Sequence, residues 1–337
     1  MRLLICEYVT GGGFLGRPLP AGLAREGDMM LAALVKDVAA VGGIEIASVR
    51  DGRLRDVGMP ATFSILAARD DPWSVWRNAV ETADAVWPIA PETGGALTRL
   101  SELVLAAGRT LIGSRPRAVA LAASKLATAE HLAALGIAVV PTVSAATALR
   151  AAPPAGRDGW VVKPDDGAGA ESTRLFRRYD EMRQWLAAAP DRDNLIVQPY
   201  MEGVPASLSI LCQQGRALLL SCNRQEIAIE NGAFRFCGSV VGGLEQRRSV
   251  LEPIAAAVAA AMPDLWGYVG IDFIDSAAGP LVLEVNPRLT TSYVGLGRAI
   301  RVNPAGLVLD LIDHDLGAIE QPLPVRAERV DVMALHG

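Results

Sequence analysis

Residues 270–289 read GIDFIDSAAGPLVLEVNPRL, two short apolar runs on either side of a small, turn-prone loop at residues 276–279. That layout predicts a β-hairpin. Side chains alternate faces along a strand, so Glu284 and Asn286 point the same way, and a loop centred near Ala278 sets Asp272 opposite Glu284. Two carboxylates and an amide oxygen then converge. Carboxylates held this close repel each other, and burying them unpaired costs on the order of several kcal/mol. A hard divalent cation removes the conflict, since magnesium accepts one or two carboxylates and completes its shell with waters and nucleotide phosphates. Taken alone, the pattern fits an acidic hairpin tip with solvated charges equally well.

The 337 residues are 51% hydrophobic, enough for a large core and, at ordinary domain size, about two domains, with three also open. No uninterrupted apolar run reaches the ~18 to 20 residues of a membrane span; residues 254–262 read as an alanine-rich buried helix in a soluble chain. A net charge of -5, with no basic run and no interleaving of basic and aromatic residues, argues against a nucleic acid partner. The opening MRLLICEYV lacks the cationic flank, long apolar core and cleavage site of a signal peptide and reads as a first strand. Cys6, Cys212, Cys222 and Cys237 stand far apart and the three histidines are scattered. Neither a zinc site nor a disulfide framework is indicated, and a reducing, cytoplasmic location is expected.

Residues 2–9 run as an apolar strand into Thr10-Gly11-Gly12-Gly13, and Gly11-x-Gly13-x-x-Gly16 matches a dinucleotide fingerprint letter for letter. The helix should open at the third glycine, yet Pro18 and Pro20 interrupt there, so a Gly-rich turn is the better reading, one that could line a ligand cleft. A helix over residues 28–41, a strand over 44–49, a polar turn, a helix around 73–82, a strand at 85–89, a helix at 97–107 and a strand at 110–112 follow. This alternation predicts a parallel sheet wrapped by helices, with Glu92 just beyond a strand's carboxyl end, as a ligand contact or as a helix N-terminal charge.

Ser124 as N-cap and Gly136 as stop bound a helix that begins at Lys125, and a strand resumes at residues 138–143. A short helix and an exposed connection lead to a strand, residues 160–164, that delivers Lys163 into the small-residue loop at 165–172, whose glycines Gly167 and Gly169 permit close approach to phosphate oxygens. A hairpin loop with a solvated lysine is the plain alternative. Further helices are expected at residues 179–188, 246–262 and 304–316, and strands at 173–176, 195–201 (broken at Pro199), 206–212, 217–223 and 232–238.

Four elements thus stand in order: Lys125 at a helix start, Lys163 before a Gly-rich loop, the apolar stretch Gln198-Pro199-Tyr200-Met201, and Asp272 with Glu284-x-Asn286-Pro287-Arg288. Their order and spacing, over about residues 110–300, resemble the ATP-grasp superfamily of carboxylate-amine ligases. The resemblance implies an α/β (α+β) architecture in three parts: an N-terminal parallel α/β domain over 1–114, a small central lid over 115–197, and a mostly antiparallel sheet domain over 198–337. It implies ATP and Mg2+ (or Mn2+) as cofactors, with Lys125 and Lys163 on the phosphates and Gly167, Gly169 and Ser172 in the loop closing over them. Gln198, Pro199, Tyr200 and Met201 would meet the adenine, and Asp272, Glu284 and Asn286 would hold the metal. Arg288 and Lys163 are the expected catalytic residues, Arg288 facing the transferred phosphoryl group or the substrate carboxylate. The chain departs from the pattern after the hinge, where Gly203 is followed by Val204-Pro205-Ala206 and leaves Glu202 as the candidate for the ribose hydroxyls.

Within the superfamily, EYVTGGG at 7–13, IAPETGG at 89–95, MEGVPASLS at 201–209 and EVNPRLTTSY at 284–293 are most similar to the tyramine-glutamate ligase group of methanofuran-type cofactor biosynthesis. That implies amide formation through an acyl phosphate, glutamate being joined to tyramine or tyrosine; ligases of other amino acids, dipeptide ligases and the pyrrolysine-biosynthesis type are the neighbouring readings. The implied partners are small molecules, with a homodimer possible. Substrate contacts are sought among Glu92, Arg224, Arg288, Thr290, Thr291 and Tyr293, and no histidine stands out as a base. A nucleotide-binding protein without turnover, and a dehydrogenase using the N-terminal glycines, are the two other classes left open.

Overall fold

The computed structural model describes residues 1–55, 58–151, 153–167, 172–319 and 325–331. Strands β1 (Arg2–Glu7), β2 (Glu45–Asp51), β3 (Thr62–Leu66), β4 (Ala85–Ile89) and β5 (Thr110–Leu111) form a parallel sheet in the order β3-β2-β1-β4-β5. Helices α1 (Ala21–Val41), α2 (Pro72–Glu81) and α3 (Ala96–Ala106) are the crossovers. Every residue of β4, and all but the first of β1, is buried, as expected of strands covered on both faces.

Helix α1 starts earlier than residue 28. Proline is tolerated where no intrahelical N–H is needed, and Pro20 takes the N-cap, its carbonyl accepting from Ala24 N at 2.9 Å. Strand β3 was not expected, because an edge strand exposing three of its five residues looks in the sequence like a polar turn. The glycine turn serves packing. A Cβ on Gly12, whose φ is +98°, would lie 2.3 Å from Leu66 Cδ1, and one on Gly13 would strike the Tyr8 ring. The buried Trp76 donates its Nε1 hydrogen to Gly11 O at 3.0 Å.

Beyond β5 come α4 (Pro116–Ala123), α5 (Lys125–Ala134), β6 (Val143–Ser144), α6 (Ala145–Arg150), β7 (Trp160–Pro164), β8 (Arg174–Phe176), α7 (Tyr179–Ala188) and β9 (Leu195–Pro199). The remaining elements are β10 (Val204–Gln213), β11 (Arg216–Glu230), β12 (Ala233–Val241), α8 (Arg248–Ala261), β13 (Gly267–Ser276), β14 (Gly279–Asn286), α9 (Tyr293–Ile300), α10 (Pro304–Asp310) and β15 (Glu328–Asp331). The second sheet is antiparallel, in the order β14-β13-β10-β11-β12-β8-β7-β9-β6, with β15 on β12. Residues 138–143 do not make the expected strand. Instead Val140 N donates to Val282 O, and Val282 N to Ala138 O, both at 3.0 Å, so the segment covers the edge of β14 with one bridge.

One buried cluster joins the sheets: Leu3, Ile5 and Leu34 pack with Leu218, Tyr268, Leu296 and Val308. A smaller cluster, Ala145, Ala148, Val162, Met182, Leu186, Leu195 and Val197, belongs to residues 145–197 alone. The two sheets are therefore docked by a common core, whereas the strands carrying Lys163 and Gln198 rest on their own small one.

Candidate active site

The β13–β14 hairpin forms as the sequence implied. Asp272 pairs with Glu284 and Gly270 with Asn286 across the antiparallel ladder, around a turn at Ala277 and Ala278. A Cβ on Gly270 would sit 2.6 Å from Thr290 Cγ2 and 3.5 Å from Asn286 Cβ, so glycine there keeps the ground beside Asn286 open. Asp272, Glu284 and Asn286 all line one cavity of about 520 Å³.

Two lysines reach the same hairpin. Ser124 caps α5 by accepting from Ala127 N at 3.0 Å, while Asp165, from the loop after β7, accepts from Leu126 N at 2.8 Å. This fixes Lys125 at the helix start, its Nζ 3.4 Å from Glu284 Oε2 and donating to Asp165 O at 3.3 Å and to Gly167 O. Lys163 lines the cavity from β7. Burial and the neighbouring Lys125 push its pKa down to about 8, against the pull of Glu284 and Asp272.

The two hairpin acids respond oppositely. Burial and the Glu284 charge push Asp272 up to about 8, although Gln225 hydrogen-bonds it. Burial acts on Glu284 too, but Lys125 and Lys163 outweigh it and hold that carboxyl below its usual range. Two facing carboxylates that cannot both ionise unaided, with an amide oxygen on the same strand, fit a hard divalent cation. Among the described residues no cluster of three acidic, histidine or cysteine ligands exists, so a cation here would keep much of its shell for water and phosphate.

The cavity extends along β9 past Gln198, Pro199, Tyr200 and Met201. Gln198 is 2% exposed and donates to Thr142 Oγ1 at 2.8 Å, and Tyr200 N donates to Gly159 O at 2.9 Å. Gly167 and Ser172 line the cavity; Gly169 lies outside the described residues. Glu202 is exposed and is not part of the lining.

At the opposite end the wall comes from the N-terminal sheet. β1 and β4 are neighbours although β2 and β3 come between them in sequence, so their junction is the point where strand order reverses and open sheets bind ligands. Glu7 ends β1 there, paired with Ile89. It is 2% exposed, its Oε1 accepting from Val9 N at 3.2 Å and its Oε2 from Thr10 N and Thr10 Oγ1, each at 2.5 Å. Burial pushes its carboxyl up to about 7 despite those bonds. Glu26 of α1 accepts from Thr291 Oγ1 at 3.3 Å and is likewise raised by burial.

Arg288 lines this end and sends two N–H groups to one oxygen of Glu92, Nη2 at 2.9 Å and Nε at 3.2 Å, leaving Glu92 Oε1 buried without a partner. Burial alone would lower the Arg288 pKa, but Glu92, Glu284 and Asp272 more than offset it. Thr290 and Thr291 line the cavity too, Thr290 Oγ1 lying 3.0 Å from Tyr268 Oη.

Two expected substrate contacts lie elsewhere. Tyr293 is 1% exposed in the core, edge-on to Tyr268 with ring centroids 5.5 Å apart. Arg224 is half exposed and sits 3.6 Å from Glu226; side chains alternate along β11, and it is the next residue, Gln225, that lines the cavity. Glu7 and Glu26 were not singled out from sequence. A charged residue closing an apolar strand was a usable signal for Glu7, whereas placing the α1 start at residue 28 left Glu26 in a loop.

The ATP-grasp domain model matches residues 122–292, and the pre ATP-grasp 3 domain model matches residues 44–119. The tyramine–L-glutamate ligase of Methanocaldococcus jannaschii is 25% identical over 333 residues, covering 98% of this chain and 94% of that protein. An ATP-grasp superfamily protein from Archaeoglobus fulgidus superposes with a TM-score of 0.71 at 24% identity, over 92% of this chain and 88% of that one. An L-amino acid ligase from Bacillus licheniformis does so with a TM-score of 0.68 at 17% identity, over 91% and 73%.

Proposed function

The chain belongs to the ATP-grasp family and is an ADP-forming ligase, and from that premise we propose that it joins the side-chain carboxylate of glutamate to the primary amine of tyramine or tyrosine. The observation that carries the reading is one continuous cavity lined by two lysines, by the Asp272, Glu284, Asn286 set, by Arg288, and by the buried Glu7 and half-buried Glu26. Such a space holds a triphosphate, an anionic acid and a cationic amine side by side.

A carboxylate is a poor electrophile, and it is repelled by a polyanionic triphosphate. In this reading Lys125 and Lys163 neutralise phosphate oxygens, while Arg288, held on Glu92 by two N–H groups, orients the incoming carboxylate. A divalent cation held by Asp272, Glu284 and Asn286 adds charge neutralisation at the phosphates when bound. The acid's oxygen attacks the γ-phosphorus, ADP leaves, and an acyl phosphate forms; the amine then attacks its carbonyl carbon and expels phosphate. Residues 164–167 after Lys163 are tied to the segment after β4, where Thr93 Oγ1 donates to Asp166 O at 2.7 Å, and in this reading they help keep water from the intermediate.

Phosphate release from ATP, measured across a panel of amino acids and aromatic amines, tests the assignment. Release that requires glutamate together with tyramine or tyrosine supports it. Release with another pair moves the substrates within the family, and release with none of them removes the substrate claim.

A further inference from the structure

We propose that Glu7, at the junction of β1 and β4, receives the ammonium group of the amine substrate and takes its proton, with Val9, Phe14, Leu23 and Met30 enclosing the apolar body. The inference rests on the ligase reading above and adds to it the amine's binding residue and its base.

Charge distribution points this way. Both lysines of the cavity lining stand at the hairpin end, and Arg288 is engaged by Glu92. The N-terminal wall contributes two carboxylates, Glu7 and Glu26; among the described residues neither has an ion-pair partner within 4 Å, and only Glu26 feels a cation, Arg288, which opposes the rise that burial imposes on it. A buried carboxylate without a cation is costly to keep, which favours a ligand that brings one.

The local geometry is built for it. The turn after β1 aims Val9 N, Thr10 N and Thr10 Oγ1 at the carboxylate, using three of its roughly four acceptor positions and leaving room on Oε1 for an N–H donor. Helix α1 passes this spot with a glycine, and a Cβ on Gly27 would lie 2.8 Å from both Cδ and Oε2 of Glu7. A cavity histidine would be the ordinary base, but none lines this one among the described residues.

The step balances. The ammonium gives one proton to the Glu7 carboxylate, and the freed nitrogen lone pair attacks the acyl carbonyl carbon. The C–N bond forms as the C–O bond to phosphate breaks, the second proton leaves with the phosphate as hydrogen phosphate, and Glu7 returns its proton to solvent. The ionisable groups that act with Glu7 are Cys6 on its own strand and Asp28 on α1, Asp28 being held by Arg50 at 2.8 Å, while Glu26 of α1 lines the same cavity. Its carboxyl, pushed up to about 7, is matched to accepting a proton near neutrality.

Hydroxylamine separates the two halves of the reaction, because it reaches the acyl phosphate uncharged at neutral pH and needs neither an ammonium site nor a base. Glu7→Gln should form hydroxamate from acid and ATP within about twofold of the wild type, while kcat/KM for tyramine falls by about a hundredfold and loses its rise through about pH 7. Gly27→Ala, which displaces the carboxylate without removing it, should show the same split at about tenfold and carries the test if Glu7→Gln does not fold. Intact hydroxamate formation with amide rates within about threefold in either variant overturns the Glu7 assignment alone. No hydroxamate from the wild type with any acid overturns the ligase reading and the assignment with it.

Discussion

The two ends of the cavity are built in opposite ways. Asp272, Glu284 and Asn286 occupy two adjacent strands joined by a short turn, so local pairing alone brings them together. At the other end Thr291 meets Glu26 across 265 residues of chain and Arg288 meets Glu92 across 196, contacts that exist only once the two sheets dock through the core shared by α1, α9 and β11. In the proposed reaction the hairpin part serves the phosphate chemistry and the docked part the choice of substrates. A site divided in this way can change its amine or its acid without disturbing nucleotide activation.

The division is most exposed at Glu284. Glu284→Gln removes the partner of Lys125 and one of the two carboxylates proposed to hold a cation, and should lower both hydroxamate and amide formation by at least about a hundredfold, with the far-ultraviolet spectrum and melting temperature retained. Near-normal rates would mean that the hairpin does not serve both half-reactions. Arg288→Lys should follow at about tenfold to a hundredfold in kcat/KM for the acid, since an ammonium cannot reproduce the guanidinium fork on Glu92. The same variant should leave nucleotide affinity, read by titration calorimetry, within about twofold, and a parallel loss there would erase the boundary between the ends.

Glu7 adds a stability signature. Its carboxyl holds its proton up to about 7 in the folded chain against 4.5 ordinarily, so the native state is progressively disfavoured as pH rises between those values. Glu7→Gln has no charge to bury, so its unfolding free energy should gain on the wild type from about pH 5 to about pH 8, by on the order of 3 kcal/mol at most, read as a rising gap in melting temperature. A constant gap across that range would mean the carboxylate is not buried in the way described. The smallest effect is expected at Thr93→Val, which loses the 2.7 Å bond to Asp166 O between the N-terminal sheet and the Lys163 loop. KM for ATP should rise about two- to fivefold with kcat/KM for the amine following, and no change would mean the loop closes without that tie.

What could be read from the residues alone follows the same line. Strand and helix alternation, the hairpin, and the register of Asp272 against Glu284 rest on neighbours in sequence, and the structure reproduces them. Helix α7, Tyr179–Ala188, forms over the expected residues for the same reason. Strand β3 escapes a sequence reading because it depends on the edge of β2 beside it, and the early start of α1 because Pro20 reads as a break although it takes the N-cap.

Tyr293 and Arg224 show the converse. Both are candidates from sequence without a motif role behind them, and strand alternation turns Arg224 outward while the docked core takes Tyr293 inward. Sequence by itself determined the family, the antiparallel hairpin and the order of Lys125, Lys163, Asp272, Glu284 and Asn286, because periodicity and short turns are local properties. Only the tertiary structure decided which carboxylates line the cavity with Arg288, because two sheets had to close on one another before Glu7 and Glu26 shared it.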